Sequence, residues 1–333
     1  MLNERTLPLL ATIVVFVTLY AYGMVEYAGF RDTLVFTNLL TDNAFVITTA
    51  IGMTFVILAG GIDLSVGSMI AFIGVFFAHL VTTLGLHPLF AIGLALIIGS
   101  LYGCIVGYII YTFKIQAFIV TLAGMFFLRG LAFLINLDSV AISHPFITAL
   151  SDFYLEIPGR GGLTFIALVM LLSLAVGIVV SRKTRFGMNV YAYGGDIVSA
   201  QLLGVPIKKT TIKIYALSGF FSALAGIVFA IYTGSGYPLA AVGVELDAIA
   251  AVVIGGTLLS GGVGFVLGTF FGGMIQGVIQ TLIAFDGSLN SWWTKIAIGA
   301  LLFFFIVLQK LIVIVVDRYS GYWQNQAASP SEQ

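Results

Sequence analysis

The stretch Gly52-Met53-Thr54-Phe55-Val56-Ile57-Leu58-Ala59-Gly60-Gly61-Ile62-Asp63-Leu64-Ser65-Val66-Gly67-Ser68 is an apolar run interrupted once, by two glycines and a carboxylate, before the apolar run resumes. Neither side alternates with a period of two, so the segment reads as helix, break, helix and not as a barrel strand. An ionised carboxylate at the centre of a hydrocarbon layer costs at least about 2.5–3.5 kcal/mol, so Asp63 is expected to face protein, water or the membrane edge. Two roles are open to it. Asp63 or Ser65 caps the helix that begins at Val66, where free N–H groups and the helix dipole favour a negative oxygen. Alternatively the carboxylate lines a permeation pathway, and both can hold together.

Outward from this segment the chain keeps the same character. Of 333 residues, 60% are hydrophobic and 8% charged, with a mean hydropathy of +1.13, whereas soluble domains are about 25% charged. Apolar runs predict ten spans, near 7–26, 43–59, 66–84, 88–111, 117–136, 162–181, 213–233, 246–260, 264–284 and 294–316. Each is close to the ~20 residues that cross a ~30 Å hydrocarbon core. The expected fold is therefore all-α, a polytopic transmembrane helical bundle, with residues 1–333 forming one membrane domain. The first run, after Arg5, is too long for a signal-peptide core and lacks a small-x-small cleavage site, so it is read as a retained span.

The Lys and Arg positions orient the bundle. With the amino terminus inside, Arg5, Lys114, Arg182, Lys183, Arg185, Lys208, Lys209, Lys213, Lys310 and Arg318 fall inside, Arg31, Arg160 and Lys295 fall outside, and Arg129 lies within a span. That asymmetry predicts both termini to be cytoplasmic. Trp292 and Trp293, just before Lys295, suit the outer aromatic belt.

Several function classes fall away. The formal net charge is zero and no basic stripe appears, which argues against nucleic acid as a partner. Cys104 is alone and His79, His87 and His144 are scattered, so neither a disulfide framework nor a metal site is expected, and no cofactor is implied. No phosphate-cradling Gly-x-x-x-x-Gly-Lys-Ser/Thr sequence occurs, so ATP chemistry would have to come from another polypeptide. No nucleophile, base and orienting acid form a set, which weakens the reading as a membrane enzyme.

The segment 60–68 has a local echo. Gly261-Gly262-Val263-Gly264-Phe265-Val266-Leu267-Gly268-Thr269 resembles it, and Ile51-Gly52-Met53-Thr54 recurs as Ile254-Gly255-Gly256-Thr257. Glycine-interrupted spans at corresponding places point toward a central transport pathway. Arg129 is expected to snorkel to the outer interface, to pair with an acid of another helix, or to touch a substrate. Glu245 and Asp247 open the eighth predicted span, as helix-start acids or as a polar rim facing a vestibule or a receptor.

Two polar loops interrupt the spans, an outer one at 137–161 and an inner one at about 182–212. In the inner one, Gly195 followed by Asp196 predicts a turn into a short helix ending near Gly204. Such a helix either docks a soluble motor or belongs to a solvated connector.

Four segments carry a family resemblance. They are the opening stretch, Thr121-Leu122-Ala123-Gly124, Leu128-Arg129-Gly130, and Glu245-Leu246-Asp247-Ala248-Ile249-Ala250-Ala251-Val252-Val253-Ile254-Gly255-Gly256-Thr257. In these the chain resembles the permeases of bacterial sugar ATP-binding-cassette importers for ribose, xylose, arabinose and related sugars, over nearly its whole length. Thr41-Asp42-Asn43-Ala44-Phe45 and Ser291-Trp292-Trp293-Thr294-Lys295-Ile296-Ala297-Ile298-Gly299 are most similar to the galactofuranose-importing branch, which works with a second, different permease subunit. The resemblance implies an inner-membrane channel with a cytoplasmic ATP-binding subunit and a periplasmic sugar-binding protein as partners. It also implies that Gly194, Gly195, Ala200 and Gly204 mark the segment coupling the spans to the ATPase. Family members often carry Asn where this chain has Asp196; a helix cap survives that change, while an ATPase contact there is put in doubt. The rival from another class is an ion-coupled secondary sugar carrier, which would need buried ionisable ligands at the midplane; Asp63 is the one carboxylate placed there.

Overall fold

The computed structural model describes residues 7–290 and 292–308. The helices are α1 (Leu7–Glu26), α2 (Thr33–Asp42), α3 (Ala44–Leu58), α4 (Val66–Ala78), α5 (Pro88–Phe113), α6 (Ala117–Ile135), α7 (Pro145–Ser151), α8 (Phe165–Lys183), α9 (Arg185–Gly195), α10 (Ile197–Leu202), α11 (Ile207–Thr233), α12 (Val244–Ile254) and α13 (Val266–Asp286), followed by α14 (Trp292–Leu308). Strands among the described residues are two- and three-residue pairs that tie the 137–164 region to itself and to Ser235 and Gly236. The architecture is all-α.

Seven helices are long and apolar enough to cross a membrane, eight if α2 and α3, bent by 54°, count as one. The predicted spans and these helices agree at α1, at α4 with its continuation to Thr83, and at α5, α6, α8 and α13. Three places differ. The predicted span at 43–59 is the second half of a bent pair that begins at Thr33, because Asp32 caps α2 by accepting from the Leu34 N–H. The predicted span at 246–260 is the 11-residue α12, about 16 Å at 1.5 Å per residue and half of a crossing; Gly255 and Gly256 end it and an irregular segment carries the chain to Val266. The predicted span at 213–233 starts earlier, at Ile207, which shortens the inner loop. The end of the predicted span at 294–316, with Lys310 and Arg318, lies outside the described residues, as does Arg5.

Burial separates the helices into centre and periphery. Spans α4 and α11 are 78% and 72% buried within the chain, whereas α1 and α6 are 17% buried. A helix apolar on every side must meet either protein or lipid, so the first two form the core and the latter two offer their flanks outward.

The longest central contact, α5 against α11, rests on small residues four apart. Ala91, Ala95, Gly99, Gly103 and Gly107 are all buried. A Cβ at Gly99 would stand 2.6 Å from the Gly219 carbonyl oxygen, one at Gly107 would stand 2.7 Å from Ile212 Cα, and one at Gly103 would overlap the Tyr215 carbonyl. Such a stripe lets backbones approach where apolar helices gain little from leaving lipid. Gly93 of α5 has open space around it. Gly103→Leu should therefore lower the melting temperature of the detergent-solubilised chain, by the equivalent of about 1–3 kcal/mol or more, while Gly93→Leu leaves it unchanged; equal effects of the two would remove the seam from this account.

Candidate functional site

The two glycine pairs that echo each other in sequence meet in space. The Gly262 N–H donates to the Leu58 carbonyl at 2.8 Å, and a Cβ at Gly261 would lie 2.8 Å from the Gly60 nitrogen. Gly60, Gly261 and Gly262 have φ of +74°, +86° and +77°, the left-handed region that favours glycine. The Thr54 and Thr269 hydroxyls, 2.7 Å apart, tie α3 to α13 on the same side.

A third segment enters this junction. A Cβ at Gly194, near the end of α9, would overlap the Leu58 carbonyl and stand 2.7 Å from the Gly262 nitrogen. The Tyr191 hydroxyl donates to the Gly264 carbonyl at 2.8 Å, and the Arg182 guanidinium sits 4.9 Å above the Phe265 ring. Gly195 closes α9. Asp196 then caps α10, its Oδ1 accepting from the Ser199 N–H at 2.6 Å; bonding to Ser199 holds this exposed carboxyl below the usual carboxylate range. A lowered value means the cap is intact at neutral pH and is lost only as pH falls through that depressed range. Gly204, at φ +81°, ends the turn after α10, so the short helix lies where Gly195 and Gly204 bracket it. Ala200 is 2% exposed and faces the protein, while Leu202 and Leu203 are 85% and 82% exposed. The outward surface of α10 therefore presents Leu202 and Leu203, while Ala200 lies on its covered side.

Asp63 is buried, at 4% exposed. Its Oδ1 accepts from the Ser65 N–H at 3.0 Å and from the Ser65 hydroxyl at 2.6 Å, and its Oδ2 accepts from the Ser218 hydroxyl of α11 at 2.8 Å. The hydroxyl of Ser65, in the cap position of α4, makes no cap bond of its own and is spent on Asp63. Both oxygens are hydrogen-bonded by neutral donors, and the group locks the 60–65 loop to α11. Thr121 of α6 donates to the Ile62 carbonyl, and the space a Cβ would take at Gly61 faces the Tyr215 hydroxyl. Sequence reasoning missed Ser218 and Tyr215, since single hydroxyls in apolar helices are common and their partners lie far away along the chain; Thr121 stood in a segment of the family resemblance, but without a role.

The remaining expected residues sit elsewhere. Arg129 donates from one nitrogen to the carbonyls of Pro238 and Ala240, at 2.6 and 2.7 Å, so its hydrogen-bond partners are backbone. Glu245 accepts from the Gly243 N–H through Oε1, while its buried Oε2, beside Gly67, has no hydrogen-bond partner among the described residues. Asp247 is 2.7 Å from Lys295 Nζ through each oxygen. Among the described residues no three His, Cys, Asp or Glu side chains are grouped to hold a metal ion.

Comparison with known proteins gives the class. The family model described as "Branched-chain amino acid transport system / permease component" matches residues 35–306. Relatives include the inner membrane ABC transporter permease protein YjfF of Escherichia coli K12, 55% identical over 98% of this chain and 97% of its own. The fructose import permease protein FruG of Bifidobacterium longum is 35% identical over 94% of each chain, and the ribose import permease protein RbsC of Haemophilus influenzae is 37% identical over 85% of each. No solved structure matches. The chain belongs to this family of ABC-transporter permeases, whose named relatives here include sugar importers. That membership leaves the ion-coupled carrier without support.

The bonding at Asp63 sets an order among variants. In Asp63→Asn the amide oxygen still accepts from Ser65 and the amide nitrogen donates to the Ser218 hydroxyl, which can accept as well as donate. Asp63→Ala strands a buried N–H and two hydroxyls, a loss of about 1–3 kcal/mol per unsatisfied group. The expected melting temperatures run wild type, then Asn, then Ala. Abolished transport in a stable Asn variant would show that the charge itself is required.

Proposed function

We propose that this chain is one membrane subunit of an ATP-driven monosaccharide importer in a bacterial inner membrane, paired with a second, different permease. A cytoplasmic ATP-binding subunit supplies the energy and a periplasmic sugar-binding protein delivers the substrate; this chain performs no bond chemistry. Galactofuranose is the sugar implied by the segments at 41–45 and 291–299. Both termini and the α9–α10 projection face the cytoplasm, as the ten-to-three division of Lys and Arg favours.

The observation that carries this reading is the α9–α10 projection. Its outer end presents Leu202 and Leu203 to solvent, and its inner end is packed backbone against backbone on the two glycine loops. Exposed leucines side by side are an interaction surface, and a rigid root lets a push on that surface reach α3 and α13. Gly194, Gly195, Asp196, Ala200 and Gly204 then have structural parts in coupling: close approach at the root, the turn, the cap, the buried side of α10 and its end. Asp63, Ser65, Arg129 and Glu245 hold the irregular segments through which the spans are joined.

The Leu202→Glu, Leu203→Glu double variant should insert and melt like wild type yet lose copurification with the ATP-binding subunit. Gln201→Cys in a Cys104→Ala background should resist an impermeant thiol reagent in intact spheroplasts and react after lysis. Normal ATPase association in the first, or labelling of intact cells in the second, would overturn the respective half of the proposal.

A further inference from the structure

At the end of α12 remote from the glycine junction, a cavity of about 370 Å³ lies between the α2–α3 bend, α12, α13 and α14. Its polar lining is Asn43, Asp247, Gln276, Gln280, Thr294 and Lys295. Gln276 and Asn43 are 5% and 8% exposed. Each spends its amide N–H on a backbone carbonyl, Gln276 on Asp247 at 3.0 Å and Asn43 on Leu39 at 2.8 Å, and neither amide oxygen has a hydrogen-bond partner within the described residues. Room for Asn43 exists because position 277 is glycine; a Cβ there would overlap its amide. The Asp247 carboxylate and the Lys295 ammonium neutralise each other inside the lining.

The geometry points to a subsite for a neutral monosaccharide in this cavity. Amide oxygens that line a cavity and have no donor among the described residues are free to accept from hydroxyls, and a sugar ring supplies several. The Asp247–Lys295 pair keeps spare acceptor and donor capacity for further hydroxyls, while its cancelled charge gives no preference for an ion. The cavity is at the small end of the size range of ligand pockets, enough for one sugar ring. Its opening beside the exposed Gln280, and a lining that sets polar groups among Val46, Ile283, Leu289 and Ile298, suit a site that a substrate with hydroxyl edges and an apolar ring face enters and leaves. The choice of a sugar over another neutral polyol rests on the importer reading.

Saturation-transfer NMR on the purified full-length chain in detergent tests this, with D-galactose and D-ribose as probes and D-glucuronate as the charged comparison. Transfer to a neutral sugar is expected in the wild type, with a roughly tenfold loss in Gln276→Leu and in Gln280→Trp, which blocks the mouth from an exposed position. If Gln276→Leu does not fold, Gln280→Trp decides alone. No transfer in the wild type, transfer retained in a folded variant, or equal transfer to glucuronate overturns the subsite. Failure of the ATP-binding subunit to associate while saturation transfer persists would instead count against the importer reading and leave the subsite standing.

Discussion

The bond from the Gly262 N–H to the Leu58 carbonyl stands for the constraint on which the rest of the architecture depends: two irregular segments and the end of α9 meet through their backbones. A helix satisfies its own amides, but the chain at 59–65 and at 255–265 has no helix ladder, and its covered backbone groups need partners inside the protein. Each loop must therefore find partners in the other or in a neighbouring helix. Contact this close leaves no room for a Cβ, which is why glycines are concentrated here, and five of them, Gly60, Gly256, Gly261, Gly262 and Gly264, adopt a positive φ. The consequence for the fold is that α3, α9, α12 and α13 all end or begin at one place.

The same rule explains the charged groups within the bundle. Asp63 and Arg129 do not pair with each other, nor with any opposite charge through a hydrogen bond. One is an acceptor that gathers Ser65 and Ser218 around the loop before α4; the other is a donor that satisfies two carbonyls in the irregular run before α12. Removing a lone partner from either would strand buried backbone, a larger loss than the net worth of the bond itself. The acids of α12 divide differently. Glu245 turns back to Gly243 while Asp247, about half a turn on, reaches Lys295, because residues two apart on a helix point to different sides.

Much of this was legible along the chain. Long apolar runs between polar punctuation located most of the crossings, and Gly195-Asp196 with Gly204 bracketed α10, because a cap and a positive-φ glycine are local signals. What escaped was set by tertiary contact. The run at 246–260 has the apolarity of a span, yet Gly255 packs directly on Gly268, and the helix stops at half length. Ala200 lies in the expected helix, but which of its sides is covered depends on α10 packing against the body of the chain. Arg129 had carbonyls as its partners, and a backbone carbonyl leaves no mark in a sequence. The neutral cavity beside Asp247 draws on four separate elements, so no local pattern of residues could announce it.

Under the proposed reading, the arrangement of α12 also bears on how a stroke at one end could matter at the other. Its lower end runs into the glycine junction and its upper end supplies Asp247 to the cavity, both within a helix of 11 residues. A long side chain at the junction could absorb a displacement of α9 by changing rotamer; Gly194 against Gly262 and Leu58 has no rotamer to change. Movement of α9 toward or away from the junction must then either break the backbone contacts or carry the ends of α3 and the 255–265 loop along. Close-packed interiors favour a few discrete arrangements over continuous deformation, and a short rigid helix joined to such a contact shifts as one body. The half-length of α12 is thus what sets the cavity and the coupling root within one helical element of each other.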